Sequence, residues 1–184
     1  MKAVIIMPPW NERKNIPRLI KELLDLSDKT PYDIHILMVE DHASNGTADV
    51  IKASQRECPK IHLIQGKNKR WGNGMVHALA VLHADVVLET DADFSHNPAD
   101  VPRLPQTLAE GYDFVIGSRY VSGGSIPQEW GLLLTTKSLF ANSLSRHWAG
   151  LKTIHDGTAG FRAIRSTLLR KIALQDIEIQ GYAF

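Results

Sequence analysis

Apolar positions along the chain follow two rhythms. Ala3 to Met7 is an unbroken, largely β-branched run stopped by Pro8-Pro9, as a strand buried on both faces reads, and Ile34 to Val39, Ile61 to Ile64 and the run that follows Asp85 are further short, mostly apolar strand runs. Between them apolar residues recur at helical spacing: Ile16, Leu19, Ile20, Leu23 and Leu24, then Val50 and Ile51, then Met75, Val76, Leu79 and Leu82. Each set predicts a helix packed back on a sheet. Pro17 is tolerated only in the first turn of its helix, with Asn15 as the cap, and Asn45-Gly46-Thr47 predicts a turn into the next one. Pro98 to Leu108 predicts a helix that either starts at Pro102 or kinks at Pro105. Gly111 stops it, and Tyr112 to Arg119 predicts a fifth strand. Trp130 to Trp148 predicts one long helix with Leu133, Phe140, Leu144 and Trp148 roughly on one side. Gly160 to Ile164 predicts a last strand, and Ser166 is the expected cap of a short helix carrying Leu168, Leu169 and Ile172. Strands alternating with helices require right-handed crossovers, so the expected class is α/β, a mostly parallel sheet covered by helices on both faces.

Composition narrows the function classes. The 184 residues predict a single domain, 1–184, large enough to bury about 70% of its unfolded surface without staples. Lysine and arginine number 21 against 20 acidic residues, which gives no basic field for nucleic acid. No apolar run approaches the roughly 20 residues that span a bilayer, and the N-terminus lacks a signal-peptide core. The single cysteine, Cys58, forms no internal disulfide and fits a reducing compartment. A cytoplasmic location is expected, with any membrane contact peripheral.

Chemistry enters where the predicted strands end, the place where α/β sheets bind ligands. The fourth run leads into Asp91-Ala92-Asp93. If the chain stays extended there, the two carboxylates point the same way and can share one magnesium or manganese ion, with Ala92 too small to obstruct it. Such ions complete their octahedron with substrate phosphates and water, so a diphosphate-bearing substrate is implied. An acidic turn after a buried strand is the competing reading. After the first strand, Pro8 fixes the backbone and places Trp10 to stack on a base and Glu12 to accept from it; the alternative is a core tryptophan and a helix-start carboxylate. Asp41 follows the second strand. Arg119 closes the fifth, where a guanidinium can clamp phosphate oxygens bidentately beside the amides of Gly123-Gly124, or form a salt bridge. Lys67, Lys69 and Arg70 before Trp71 to Gly74 read equally as a phosphate approach or a solvated charge run. His96 reads as a turn residue rather than a metal ligand, and Asp156 as a partner of Arg162 or of backbone amides.

Pro8-Pro9-Trp10-Asn11-Glu12-Arg13, Val39-Glu40-Asp41, Asn45-Gly46-Thr47, Asp91-Ala92-Asp93-Phe94-Ser95-His96, Gly117-Ser118-Arg119-Tyr120 and Asp156 to Arg162 together resemble the dolichol-phosphate (polyprenyl-phosphate) mannosyltransferases of glycosyltransferase family 2. The resemblance implies a GT-A-type, nucleotide-sugar-binding fold. It implies a metal-dependent inverting transfer, mannose moving from GDP-mannose to a polyprenyl or dolichyl phosphate. By the same resemblance Pro8, Trp10, Glu12, Val39 and Asp41 hold the nucleotide, and Asp91, Ala92 and Asp93 meet the sugar-nucleotide. Arg119 also meets the sugar-nucleotide; Asp91, Asp93 and Ser95 hold magnesium or manganese; Arg119 and Ser138 receive the acceptor phosphate; Asp91, Asp93 and Arg119 are the catalytic set. The expected partners are a nucleotide-diphosphate sugar, a polyprenyl phosphate at the cytoplasmic face of a membrane and, compatible with both, a membrane-anchoring subunit.

Departures from the family pattern keep two other readings open. The family reads Asp-Asp-Gly-Ser where this chain has Glu40-Asp41-His42-Ala43, and an arginine where Leu134 stands, with Lys137 nearby. Another family 2 enzyme using a UDP-sugar is one alternative. The other is a relative that binds nucleotide and transfers sugar poorly, since the chain reads as short at its C-terminus.

Overall fold

A computed structural model of the chain describes residues 1–40, 45–65, 71–126, 131–148, 150–172 and 174, the side chains of 71–74 left aside. Six strands form one sheet: β1 (Lys2–Met7), β2 (Asp33–Glu40), β3 (Ile61–Gln65), β4 (Val86–Glu89), β5 (Phe114–Ile116) and β6 (Arg162–Arg165), in the order β3-β2-β1-β4-β6-β5. β1 lies parallel between β2 and β4, with Ile5 opposite Ile36 on one side and Leu88 on the other. That central place explains its unbroken apolar run. β6 is antiparallel to both β4 and β5, so the sheet is mixed at one edge and parallel elsewhere.

The helices follow the spacing of the sequence. α1 (Ile16–Ser27) puts Pro17 in its first turn, and α2 (Thr47–Glu57) starts from Gly46 at φ 81°. α3 spans Trp71–Ala80 and α4 Arg103–Ala109. The ambiguity at the prolines resolves into a 3-10 turn, Pro98–Asp100, and a helix beginning after Pro102, with Pro105 in the first turn, where its missing N–H costs no bond. α5 runs Leu132–His147 and α6 Ser166–Leu169. Alternate residues of β1 serve opposite faces: Ala3, Ile5 and Met7 pack with Ile16, Leu23, Ile51 and Leu104 from α1, α2 and α4, whereas Val4 and Ile6 pack with Met75, Leu79 and Leu169 from α3 and α6. The α/β class with helices on both faces is observed.

Two expectations are corrected here. Ser166 does not cap α6: it is the helix's first residue, and its hydroxyl donates instead to the Ala84 carbonyl, tying β6 to the start of β4. The side of α5 that carries Leu133, Phe140 and Leu144 faces outward, and the one residue buried within that helix is Asn142. Among the described residues no helix is long and apolar enough to cross a membrane.

Candidate functional site

The carboxyl ends of β1, β4 and β5 bring most of the expected residues to one edge of the sheet. After β1, Pro9 is buried while Trp10 remains 57% exposed, so its ring is a surface available to a ligand and the core alternative is excluded. Asn11 takes a left-handed φ of 61°. The turn lets the Glu12 carbonyl receive the Asn15 and Ile16 amides at 2.9 and 3.1 Å, while its carboxylate accepts from Asn15 Nδ2 at 2.6 Å. Asn15 thus braces Glu12 rather than capping α1 with its side chain. Val39 is buried against the α3 face, leaving its backbone as the part that can meet a ligand. Asp41 and the run 66–70 lie outside the described residues, as does Trp130.

Beyond β4 the geometry differs from the expected extended strand. β4 stops at Glu89, and residues 92–96 bend, with Phe94 at φ 63°. Asp91 and Asp93 therefore meet in a turn. Ala92 is buried in the α1-side core, Asp91 is half-buried and Asp93 exposed, its Oδ1 accepting the Ser95 amide at 2.9 Å. Burial and then the neighbouring Asp93 push the Asp91 carboxyl up, a cost that a shared cation would relieve. His96 stacks on Phe161 at 5.0 Å between ring centroids, with Nε2 4.0 Å from Asp91 Oδ2. Burial holds that imidazole below its ordinary pKa. Among the described residues no three His, Cys, Asp or Glu side chains converge to make a metal cage; two carboxylates and the exposed Ser95 are what the turn offers, and that sparse oxygen set suits magnesium or manganese sharing substrate phosphates.

Arg119, just past β5, is held by a residue 37 positions away. Its Nε and Nη2 donate to the two oxygens of Asp156, both at 2.7 Å, and its amide donates to Oδ2 at 3.0 Å. Burial pushes the Asp156 carboxyl up, yet these hydrogen bonds outweigh it and hold the group below its ordinary range. Of the two readings of Asp156, the pair with Arg162 does not form, whereas the hold on a backbone amide does, through Arg119. Arg162 instead lies beside Glu89 at 3.4 Å, because the β4–β6 register sets the two residues opposite each other. The guanidinium fork expected to clamp phosphate is thus engaged with Asp156, and Arg119 presents a fixed positive charge. Asn142 Nδ2 on α5 reaches Asp156 at 3.4 Å, and Tyr120 makes a separate bond to the same helix, its hydroxyl donating to Ser138 Oγ at 2.7 Å. Ser138 and Asn142 thus fasten α5 to the elements that carry Arg119, one through Tyr120 and the other through Asp156.

Several functional features were missed in the sequence. Glu89, buried, with Oε1 lacking a hydrogen-bond partner, has its carboxyl pushed up to about 7 by burial, with Arg162 opposing and Asp91 adding to the shift. A lone acid ending an apolar strand was the available signal. Gly160 leaves room for Asp91, since a Cβ there would sit 3.2 Å from Oδ2, and Gly117 has no space at all, a Cβ meeting the Phe161 ring at 2.3 Å. Beside these residues a cavity of about 250 Å³ opens between Ser95–Asn97, α4 and the Arg119–Ser125 loop, floored by Phe161.

The chain is 33% identical over 192 residues to the polyprenol monophosphomannose synthase of Mycolicibacterium smegmatis, covering 100% of this chain and 69% of the relative. It is 32% identical over 195 residues to the undecaprenyl-phosphate mannosyltransferase of Micrococcus luteus, covering 100% and 74%. A crystal structure of glucosyl-3-phosphoglycerate synthase from Mycobacterium tuberculosis, in complex with manganese and UDP-glucose, superposes with a TM-score of 0.65 at 18% identity over 93% of this chain and 58% of that one; that likeness shows the GT-A-type fold. The order of motifs, the sheet that carries them and a match to the model of "Glycosyl transferase family 2" over residues 4–173 have one reading: the chain belongs to glycosyltransferase family 2.

Proposed function

We propose that this chain transfers mannose from GDP-mannose to a polyprenyl phosphate, inverting the anomeric carbon. The observation that carries the reading is the paired Asp91–Asp93 turn set beside the Arg119–Asp156 pair, with Asn142 of α5 reaching Asp156; the similarity to two lipid-phosphate mannosyltransferases supports the substrates. A phosphate monoester is already largely anionic near neutral pH, so no general base is needed. A phosphate oxygen of the acceptor forms the new bond to the anomeric carbon as the bond to the donor diphosphate breaks, and the diphosphate leaves with that electron pair. Asp91 and Asp93 would hold a magnesium or manganese ion, which when bound stabilises charge on the departing diphosphate. Arg119, kept charged and oriented by Asp156, supplies a fixed field where the acceptor phosphate arrives, and Ser138, which accepts from the Tyr120 hydroxyl, keeps its own O–H to donate. Trp10 offers a face to the base and Glu12 an acceptor. The expected site of action is the cytoplasmic face of a membrane.

Two measurements test the reading. Thermal unfolding with GDP, UDP, GDP-mannose and UDP-glucose, each with and without manganese, is expected to show selective stabilisation by the guanine compounds, about 2.7 kcal/mol at a hundred times the dissociation constant. Selective stabilisation by the uridine compounds would replace mannose by a UDP-sugar. Asp93→Ala is expected to lower transfer to a short polyprenyl phosphate by about a hundredfold or more with manganese present, and a variant as fast as wild type would remove the metal assignment.

A further inference from the structure

Two hydroxyls of α5 turn back onto their own helix. Thr136 Oγ1 donates to the Leu132 carbonyl at 2.7 Å and Ser145 Oγ to the Ala141 carbonyl at 3.0 Å, the local bond open to any serine or threonine within a helix. Ser138 does not bond to Leu134 in this way. It accepts the Tyr120 O–H at 2.7 Å, and among the described residues its own O–H meets no acceptor. A hydroxyl has one proton and two lone pairs, so the bond from Tyr120 fills a lone pair and leaves the proton to be given away. Both residues are half-buried, so a ligand can reach that proton.

Tyr120 is braced at its root. Its amide donates to Ser118 Oγ at 3.1 Å, the preceding amide, of Arg119, donates to Asp156 at 3.0 Å, and the Arg119 guanidinium carbon lies 5.7 Å from the Tyr120 ring centroid. From Tyr120 through Ser138 to a ligand the bonds all run donor to acceptor, and a hydroxyl that accepts one bond donates the next more strongly. Such a chain favours a group that only accepts, and beside the Arg119 charge an anionic phosphate oxygen fits best. We infer that Tyr120 is a positioning residue for the acceptor phosphate: its O–H keeps Ser138 off the Leu134 carbonyl and aims the Ser138 proton at the incoming oxygen. This rests on the reading of a lipid phosphate as acceptor. Fastening of α5 does not depend on the bond alone, since Asn142 holds the same helix to Asp156.

The experiment is calorimetric titration with farnesyl phosphate below its micellar concentration and without donor, farnesol serving as the uncharged control. Wild type is expected to prefer the phosphate. Tyr120→Phe, which removes one oxygen and keeps the ring, is expected to bind farnesyl phosphate about tenfold more weakly. Its binding of farnesol, and its thermal response to nucleotide with manganese, are expected to match wild type. In a Ser138→Ala background the same substitution is expected to cost nothing further, because the proton it aims is already gone. No preference of wild type for the phosphate removes the acceptor reading and this inference with it, whereas a preference undiminished in Tyr120→Phe removes this inference alone. Full additivity of the two substitutions also overturns it, since Tyr120 would then act on the phosphate itself. So does an equal loss of farnesol binding and nucleotide response, which marks a bond that fastens α5 and nothing more.

Discussion

Helix α1 turns Ile16, Leu19, Ile20 and Leu23 onto the sheet and sets the ion pairs Arg18–Glu22 and Lys21–Asp25 in solvent, whereas α5 turns Ser138, Asn142 and Ser145 inward and Leu132, Leu133 and Phe140 outward. Both are amphipathic, and the period of 3.6 residues is legible in both. Orientation is what differs. α1 covers one face of the parallel sheet and is stabilised by apolar burial. α5 is fastened by hydrogen bonds to Asp156 and Tyr120, and its apolar residues Leu132, Leu133 and Phe140 stay out of the core.

The sharpest way to break this comparison is to remove the polar anchor. Asp156→Ala leaves the Arg119 guanidinium part-buried without its carboxylate and is expected to cost about 3 to 5 kcal/mol in chemical denaturation, together with loss of transfer. Asp156→Asn, which keeps an acceptor oxygen, is expected to cost less in both. A smaller effect sharpens the contrast between the helices themselves. Leu23→Ala, fully buried in α1, is expected to cost about 2 to 5 kcal/mol, and Phe140→Ala in α5 to stay within about 0.5 kcal/mol. Equal costs would mean that α5 contributes to the core as α1 does.

The smallest expected effect separates the two ends of the sheet by pH. Away from the site, His35 Nδ1 and His62 Nε2 lie 3.0 Å apart on neighbouring strands, and burial, then the charge of His35, holds His62 down to about 4. Between about 4 and 6.5 the unfolded chain therefore binds more protons, so stability is full above 6.5 and falls as pH drops through that window. Glu89 works in the opposite sense: raised from 4.5 to about 7 in the fold, it gives stability that is full below 4.5 and is lost as pH rises towards 7. His62→Gln is expected to flatten the acid limb by roughly 1 to 2 kcal/mol after allowance for solvent screening, and Glu89→Gln to flatten the other. Unfolding midpoints measured from pH 4 to 8 separate the limbs, and unchanged slopes in both variants would show that neither group is linked to folding.

By itself the sequence determined the parallel strands β1 to β4, the apolar spacing of the helices between them and the placing of Trp10, Glu12, Asp91, Asp93 and Arg119 at strand ends, because these follow from local spacing and turn chemistry. Tertiary structure decided which distant groups meet. Register across the antiparallel β6 put Arg162 beside Glu89 and left Asp156 to Arg119; the approach of β6 to β4 drew the Ser166 hydroxyl to Ala84 rather than to its own helix; a bend beyond Glu89, rather than an extended strand, set Asp91 near Asp93. The sense of α5 belongs to the same group. A hydrophobic period fixes which residues share a side, but whether that side meets core or solvent depends on what the rest of the chain places against it, and here that was a buried carboxylate needing hydrogen-bond donors rather than an open apolar face.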